Sequence, residues 1–210
     1  STLGKDFINT YEYNGKENGY NTWYFKGISQ LEPDSKLVLS LLDKQNKKID
    51  RIVILASKEA REEKKIVNGK SSVEFYMERM NGFSKNSDPY EERIDDVQAL
   101  ENQFKDVKYH TLQNKYTEDI EFKEIYSERN DYLLQAVQAI EMNEEKTVED
   151  KKINLYIDVQ GGGRSEIVQI NAIIELLKKK NLEIKARFAN KFKANSKKPH
   201  PICEVSNEYE

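Results

Sequence analysis

The chain has 210 residues, a formal net charge of -3 and a hydrophobic share of only 37% against 34% charged, yet 12 Tyr and 8 Phe help lift the aromatic share to 10%. That length and aromatic supply predict one folded domain over residues 1–210 and exclude a disordered chain or a disulfide-stapled peptide. One cysteine, Cys203, allows neither an internal disulfide nor a multi-cysteine zinc site and fits a reducing, cytoplasmic setting, while no apolar run is long enough to span a membrane and Ser1 opens no signal-peptide pattern.

Ser1-Thr2-Leu3-Gly4-Lys5 begins without an initiator methionine and Val205 to Glu210 ends without a helix stop. The sequence therefore reads as a segment of a longer polypeptide, with a strand expected upstream. Ile8 to Tyr13 alternates, Asn14-Gly15 and Asn18-Gly19 supply turn chemistry, and Thr22 to Phe25 is again rich in β-formers. Together they predict a β-hairpin whose tyrosines and Trp23 pack on the core. Asp34-Ser35 reads as the cap of a helix through Leu37, Val38, Leu41 and Leu42, whose spacing follows one helical face.

Ile52 to Ala56 is a short continuous apolar run, suited to a strand covered on both faces of a parallel sheet. Ser57-Lys58-Glu59 then starts a helix. Glu62 to Glu92, with Asn68-Gly69, Asn81-Gly82 and Asp88-Pro89, reads as helix interrupted by loops. Val107 to Leu112 reads as another strand, and Arg129 to Glu145 as a helix with Leu133, Ala136, Val137 and Ile140 inward.

Ile153 to Val159 is the clearest strand, with Ile153, Leu155, Ile157 and Val159 on one face and Tyr156 and Asp158 on the other. It feeds Gln160-Gly161-Gly162-Gly163-Arg164-Ser165 and then a helix from Glu166 to Lys180. Ile167, Ile170, Ile174 and Leu177 form one stripe of that helix, and Val168, Ala172, Ile173 and Leu176 another. A helix apolar on two sides needs two partners, its own sheet and either another helix or a second subunit. Leu182 to Ala189 supplies the next strand. The alternation of strands and helices predicts an α/β fold, Rossmann-like and doubly wound, with a mainly parallel sheet and a β-hairpin insertion.

Such sheets bind ligands beyond the carboxyl ends of their strands. Three segments fall there: Ser1, Thr2, Leu3, Gly4 and Lys5 beyond the strand expected upstream, Ser57 and Lys58 after the run ending at Ala56, and Gln160 to Ser165. Three successive glycines let backbone N–H groups at a helix N-terminus approach a ligand closely. Arg164 adds a planar cationic fork and Ser165 a hydroxyl, a set suited to a phosphodiester or a base edge. The same glycines could equally make a plain tight turn. Lys58 and Lys191 are possible helpers at strand ends.

Several chemistries are excluded by pattern. Nothing supplies the Gly-Lys-Ser/Thr of a P-loop, and the dinucleotide fingerprint would need glycine where Glu166 stands and an acid where Ala189-Asn190-Lys191 stands. His110 and His200 have no second metal ligand at a recognisable spacing, so no metal is expected. The pairs Asp95-Asp96 and Glu144-Glu145 are adjacent in sequence and read as surface. Between Lys178 and Lys198 nine basic residues face one acidic, while Thr117 to Asp150 holds eleven acidic against three basic. The basic run suits an anionic ligand or merely a solvated face.

Asp158-Val159-Gln160-Gly161-Gly162-Gly163-Arg164-Ser165 at a strand end, with Ser1-Thr2-Leu3-Gly4 and the Thr10-Tyr11-Glu12-Tyr13 hairpin, resembles a CRISPR-associated Rossmann-fold (CARF) sensor domain. The resemblance implies a two-fold homodimer that binds a cyclic oligoadenylate, with tetra-adenylate favoured, across its interface. It also implies an effector domain elsewhere in the same chain that binding activates, and a role in antiviral defence. Asp158, Gly161 to Gly163, Arg164 and Ser165 map onto the family's phosphate-binding loop, and Ser1 to Lys5 onto the loop after its first strand. Glycine stands where related loops carry an aromatic or histidine. A second reading is a ring nuclease in which Ser1, Thr2 and Arg164 position a phosphodiester for attack by a ribose 2′-hydroxyl. A third is a nucleic-acid binder using Lys178 to Lys198, where only Phe188 and Phe192 are interleaved.

Overall fold

The alternating aromatics of the N-terminal segment form the hairpin that the sequence predicts. A computed structural model describes residues 9–15, 19, 21–27, 31–62, 69–87, 106–141, 152–158, 164–180, 182–191 and 197–205. Strands β1 (Asn9–Asn14) and β2 (Thr22–Gly27) pair antiparallel, setting Tyr11 opposite Phe25 and Tyr13 opposite Trp23. All four rings are buried, because a period of two puts every second residue on the covered face.

Helix α1 spans Leu31–Lys44. It starts before the expected cap at Asp34-Ser35, which therefore lie inside its first turns. Pro33 fits that first turn, where its missing N–H costs nothing, and Ser35 Oγ donates back to the Leu31 carbonyl at 3.0 Å. Strand β3 (Arg51–Ala56) follows, then the short helix α2 (Lys58–Glu62) and helix α3 (Ser72–Ser84). A reciprocal capping box between Ser71 and Glu74 opens α3, satisfying two end groups at once.

Val107 to Leu112 does not form the expected strand; it makes a single parallel bridge, Tyr24 to Tyr109. Its neighbouring backbone groups are held by side chains instead. Asn86 exchanges two hydrogen bonds with Leu112, and Asp43 accepts from the N–H groups of Gln113 and Asn114 at 2.6 and 2.9 Å. His110 stacks on Trp23 with ring centroids 4.4 Å apart.

Strand β4 (Glu121–Tyr126), absent from the sequence reading, pairs parallel with β3 in continuous register from Arg51 opposite Glu121 to Ala56 opposite Tyr126. Helix α4 (Tyr132–Glu141), strand β5 (Ile153–Asp158), helix α5 (Arg164–Leu177) and strand β6 (Leu182–Asn190) follow. Strand β7 (His200–Glu204) closes the order. Five strands run β2-β1-β7-β6-β5, and β3-β4 form a parallel pair. The β1/β7 and β5/β6 pairs are parallel, whereas β1/β2 and β6/β7 are antiparallel. The fold is thus Rossmann-like α/β with a mixed sheet, the antiparallel character coming from the hairpin and β7.

Helices cover the strands from both sides. Ile52 and Ile54 of β3 pack with α1 and α3, whereas Val53 and Leu55 pack with α4 and α5, together with Leu155 of β5. The double coverage expected for the Ile52 to Ala56 run is present. Tyr11, Trp23, Phe25, Leu37 and Phe188 join the hairpin, α1 and β6 in a further cluster.

Candidate functional site

Parallel pairing gathers strand ends, and hydrogen bonds between the segments that follow them fix which ends lie together. Lys58, just beyond β3, donates its backbone N–H to the Glu128 carboxylate just beyond β4 at 3.2 Å. Gln169, in the second turn of α5, donates to the carbonyl of Ser127 at 2.8 Å. The first turn of α1 reaches the same edge, since Asn190, the last residue of β6, donates to Asp34 Oδ1 at 3.2 Å. The carboxyl ends of β3, β4, β5 and β6 therefore form one edge of the molecule, where ligands of such sheets sit.

Ser57, Lys58, Arg164, Ser165 and Lys191 all fall on this edge; Arg164 and Ser165, expected just before a helix from Glu166 to Lys180, are instead the first two residues of α5, which ends at Leu177. Ser57 Oγ accepts from Ala60 N–H at 3.3 Å and so caps α2. The Lys58 ammonium lies 3.9 Å from Glu62 on an exposed turn. Arg164 opens α5, Ser165 Oγ donates to Glu166 at 2.8 Å, and Lys191 N–H donates to the Pro201 carbonyl at 2.9 Å. Ser1, Thr2, Leu3, Gly4 and Lys5, and Gln160, Gly161, Gly162 and Gly163, lie outside the described residues.

Beneath this edge is a layer of buried charge that sequence reasoning missed. Glu32 is fully buried and accepts from Arg79 Nε at 3.1 Å, with the Lys36 ammonium at 3.5 Å. Lys36 also donates to the Lys26 carbonyl at 2.6 Å. Asp34 accepts a hydrogen bond from Asn190, and burial pushes its own carboxyl up to about 7. Tyr76 lies 2.6 Å from Ser35 Oγ, and its hydroxyl is raised by burial first and by Asp158, Glu32 and Asp34 after it. Tyr11 is raised for the same reasons, by burial and then by Glu32 and Asp34. One signal was available: Arg79 stands on the same face of α3 as Val73, Tyr76 and Met80, where a cation needs a buried partner.

The outer face of α5 has the opposite character. Ile173, Ile174 and Leu177 are buried, but Ile167, Val168 and Leu176 are 45%, 68% and 43% exposed; on α4, Leu134 is 59% exposed. Of the two expected stripes, Ile174 and Leu177 of one and Ile173 of the other face the core, whereas Ile167, seven residues before Ile174 on the same side of the helix, is exposed near its start. A cluster of exposed large apolar side chains on one element marks an interaction surface more often than chance exposure does.

Among the described residues, no group of three His, Cys, Asp or Glu side chains is placed to hold a metal ion. No described helix is long and apolar enough to cross a membrane. No protein-family model, curated protein or solved structure matches the chain.

Proposed function

We propose that this chain is a ligand-sensing domain that pairs two-fold about α5 and binds a cyclic oligoadenylate at the carboxyl edge of its strands. The observation that carries the reading is the union of two features in one element. Helix α5 begins at Arg164, which follows Gly161, Gly162 and Gly163 in the sequence, and the same helix exposes Ile167, Val168 and Leu176. Pairing of α5 with its mate about an axis along the helix sets two such helix starts side by side. A ring with two-fold symmetry then meets the same donors twice, so two modest anion sites act as one.

Ser57, Lys58, Ser165 and Lys191 border that edge and supply hydroxyl and ammonium groups for phosphate oxygens. The sequence likeness of Asp158 to Ser165 to CARF sensors favours a cyclic oligoadenylate, tetra-adenylate first, over another anion. In such a sensor, binding would be relayed to an effector elsewhere in the polypeptide, as part of antiviral defence.

Calorimetric titration with cyclic tri-, tetra- and hexa-adenylate, followed by chromatography of the recovered nucleotide, tests the reading. One ring per two chains, recovered intact, is the expected result. Linear fragments would make the domain a ring nuclease, and no heat with any ring would remove the assignment.

A further inference from the structure

The strands divide between two hydrogen-bonded groups, β3-β4 and β2-β1-β7-β6-β5, yet the same helices cover both. On one face, Ile52 and Ile54 of β3 pack against the cluster of Leu39, Tyr76 and Met80, and Tyr156 of β5 packs against the cluster holding Leu37, Val38 and Leu42. Helix α1 therefore lies over β3 and β5 at once. On the other face, Val53 and Leu55 of β3 and Leu155 of β5 pack against one cluster built mainly by α4 and α5. These two strands nevertheless form no ladder with each other. Their Cα atoms lie almost wholly beyond 8 Å of one another, where paired strands stand about 4.8 Å apart. A helix is about 10–12 Å across, so strands that share one on each face without pairing are about two spacings apart. That leaves the width of a single strand.

The edge that β3 turns to this opening differs from edges made to stay free. Ala56 accepts a hydrogen bond from the Ser127 N–H at 2.9 Å, so the backbone of Ile52, Ile54 and Ala56 is turned to β4 and that of Val53 and Leu55 to the opening. The Val53 and Leu55 groups have no backbone partner there among the described residues. Ile52, Val53, Ile54 and Leu55 are only half-buried, although helices cover both faces, which places their exposure along the strand's edge. The outer strand β4 carries Glu121, Lys123 and Glu124, charges that discourage further pairing, and β2 is met by His110, whose N–H donates to the Tyr24 carbonyl at 2.8 Å. From Ile52 to Ala56, β3 has no such guard. An apolar edge with open N–H and C=O groups is a template for another strand.

We propose that one further strand seats between β3 and β5, parallel to both, and that it is the stretch of polypeptide leading into Ser1. Direction and reach select this occupant. Strand β6 runs parallel to β5 and antiparallel to β7, and β1 runs parallel to β7, so β1 starts at the edge where β5 ends. From the opening, past β5, β6 and β7, to β1 is about 19 Å at the usual strand spacing, and Ser1 to Ile8 can reach about 26 Å when extended. A parallel strand delivers Ser1 to that edge within this reach, whereas an antiparallel one ends a strand length, about 17–20 Å, farther off. With helices on both faces, the seated segment is apolar on both sides, as Ile52 to Ala56 is. Nothing in this placement depends on the identity of any ligand.

The test is amide hydrogen exchange in the chain as it stands and in the chain extended ahead of Ser1 by about six alternating Val and Ile residues, with a Gly-Ser extension of equal length as control. Without an extension, the N–H groups of Val53 and Leu55 should exchange at least about tenfold faster than those of Ile52 and Ile54. The apolar extension should abolish that difference at every protein concentration, and the Gly-Ser extension should leave it. Equal protection of all four groups in the unextended chain would overturn the proposal, whether or not the extended chain folds. Protection that appears only as concentration rises would also overturn it, since the strand would then come from a second molecule. A folded apolar extension that protects neither Val53 nor Leu55 would remove the occupant.

Discussion

Helices α1 and α5 invert the usual rule of burial in opposite ways. Helix α1 buries Glu32, Asp34, Lys36 and Asp43, and helix α5 leaves Ile167, Val168 and Leu176 in the open. In α1 each charge sits among built partners: Arg79, Asn190, the Lys26 carbonyl, and the amides of Gln113 and Asn114. Buried charge tolerated in this way ties elements distant in sequence to one another, at a cost in desolvation that only good geometry offsets. In α5, Ile167, Val168 and Leu176 stay exposed, with no such set of built partners among the described residues. The contrast separates what is internally complete from what is open to a partner.

The largest effect should come from breaking the α1 side. Arg79→Ala removes one of the two cations beside the buried Glu32 and leaves Lys36, and urea denaturation should show a loss of about 3–5 kcal/mol. Asp43→Ala removes an acceptor that holds two backbone N–H groups and the Asn114 side-chain amide. It should cost on the order of 3 kcal/mol by the same assay. A loss below about 1 kcal/mol in either variant would mean that α1 is not held by its charges.

The α5 side should respond differently. Arg164→Ala at the start of the helix should weaken ring binding by about 1.5–3 kcal/mol in calorimetry, with thermal unfolding nearly unchanged. Unaltered affinity in a folded variant would remove the anion site from this helix start. The paired change Val168→Ser with Leu176→Ser should alter monomer stability by less than about 0.5 kcal/mol. The same variant should lose self-association in sedimentation experiments. Strong destabilisation of the monomer would show that the stripe is already buried in the single chain.

Much of this arrangement was legible in the sequence where local pattern and tertiary role agree. The hairpin announces itself through alternating aromatics around Asn-Gly turns, and β5, α5 and β6 through a strand, a glycine turn and an apolar helix in succession. Strand β4 escaped because Glu121, Lys123 and Glu124 face solvent and only Phe122 and Ile125 pack inward, which leaves little hydrophobic period to read. Strand β7 escaped because Pro199 and Pro201 argue against a strand, although Pro201 sits where its exposed ring is tolerated.

The same division runs through the candidate site. Reasoning from strand ends placed Ser57, Lys58, Ser165 and Lys191 on one edge. The buried layer was out of reach, because Glu32 meets Arg79 across 47 residues and Asp34 meets Asn190 across 156. Asp34 read as a helix cap has the right residue type for that role; only the tertiary approach of β5 and β6 turns it inward. Val107 to Leu112 carries strand-forming residues yet makes one bridge, since Asn86 and Asp43 capture the adjoining backbone groups.

The most direct test of the sensor reading is sedimentation of the chain with cyclic tetra-adenylate, followed through the absorbance of the nucleotide. The ring should move with a species of two chains, at one ring per pair, and Val168→Ser with Leu176→Ser should release it. A ring that sediments free beside a monomeric chain would contradict the account.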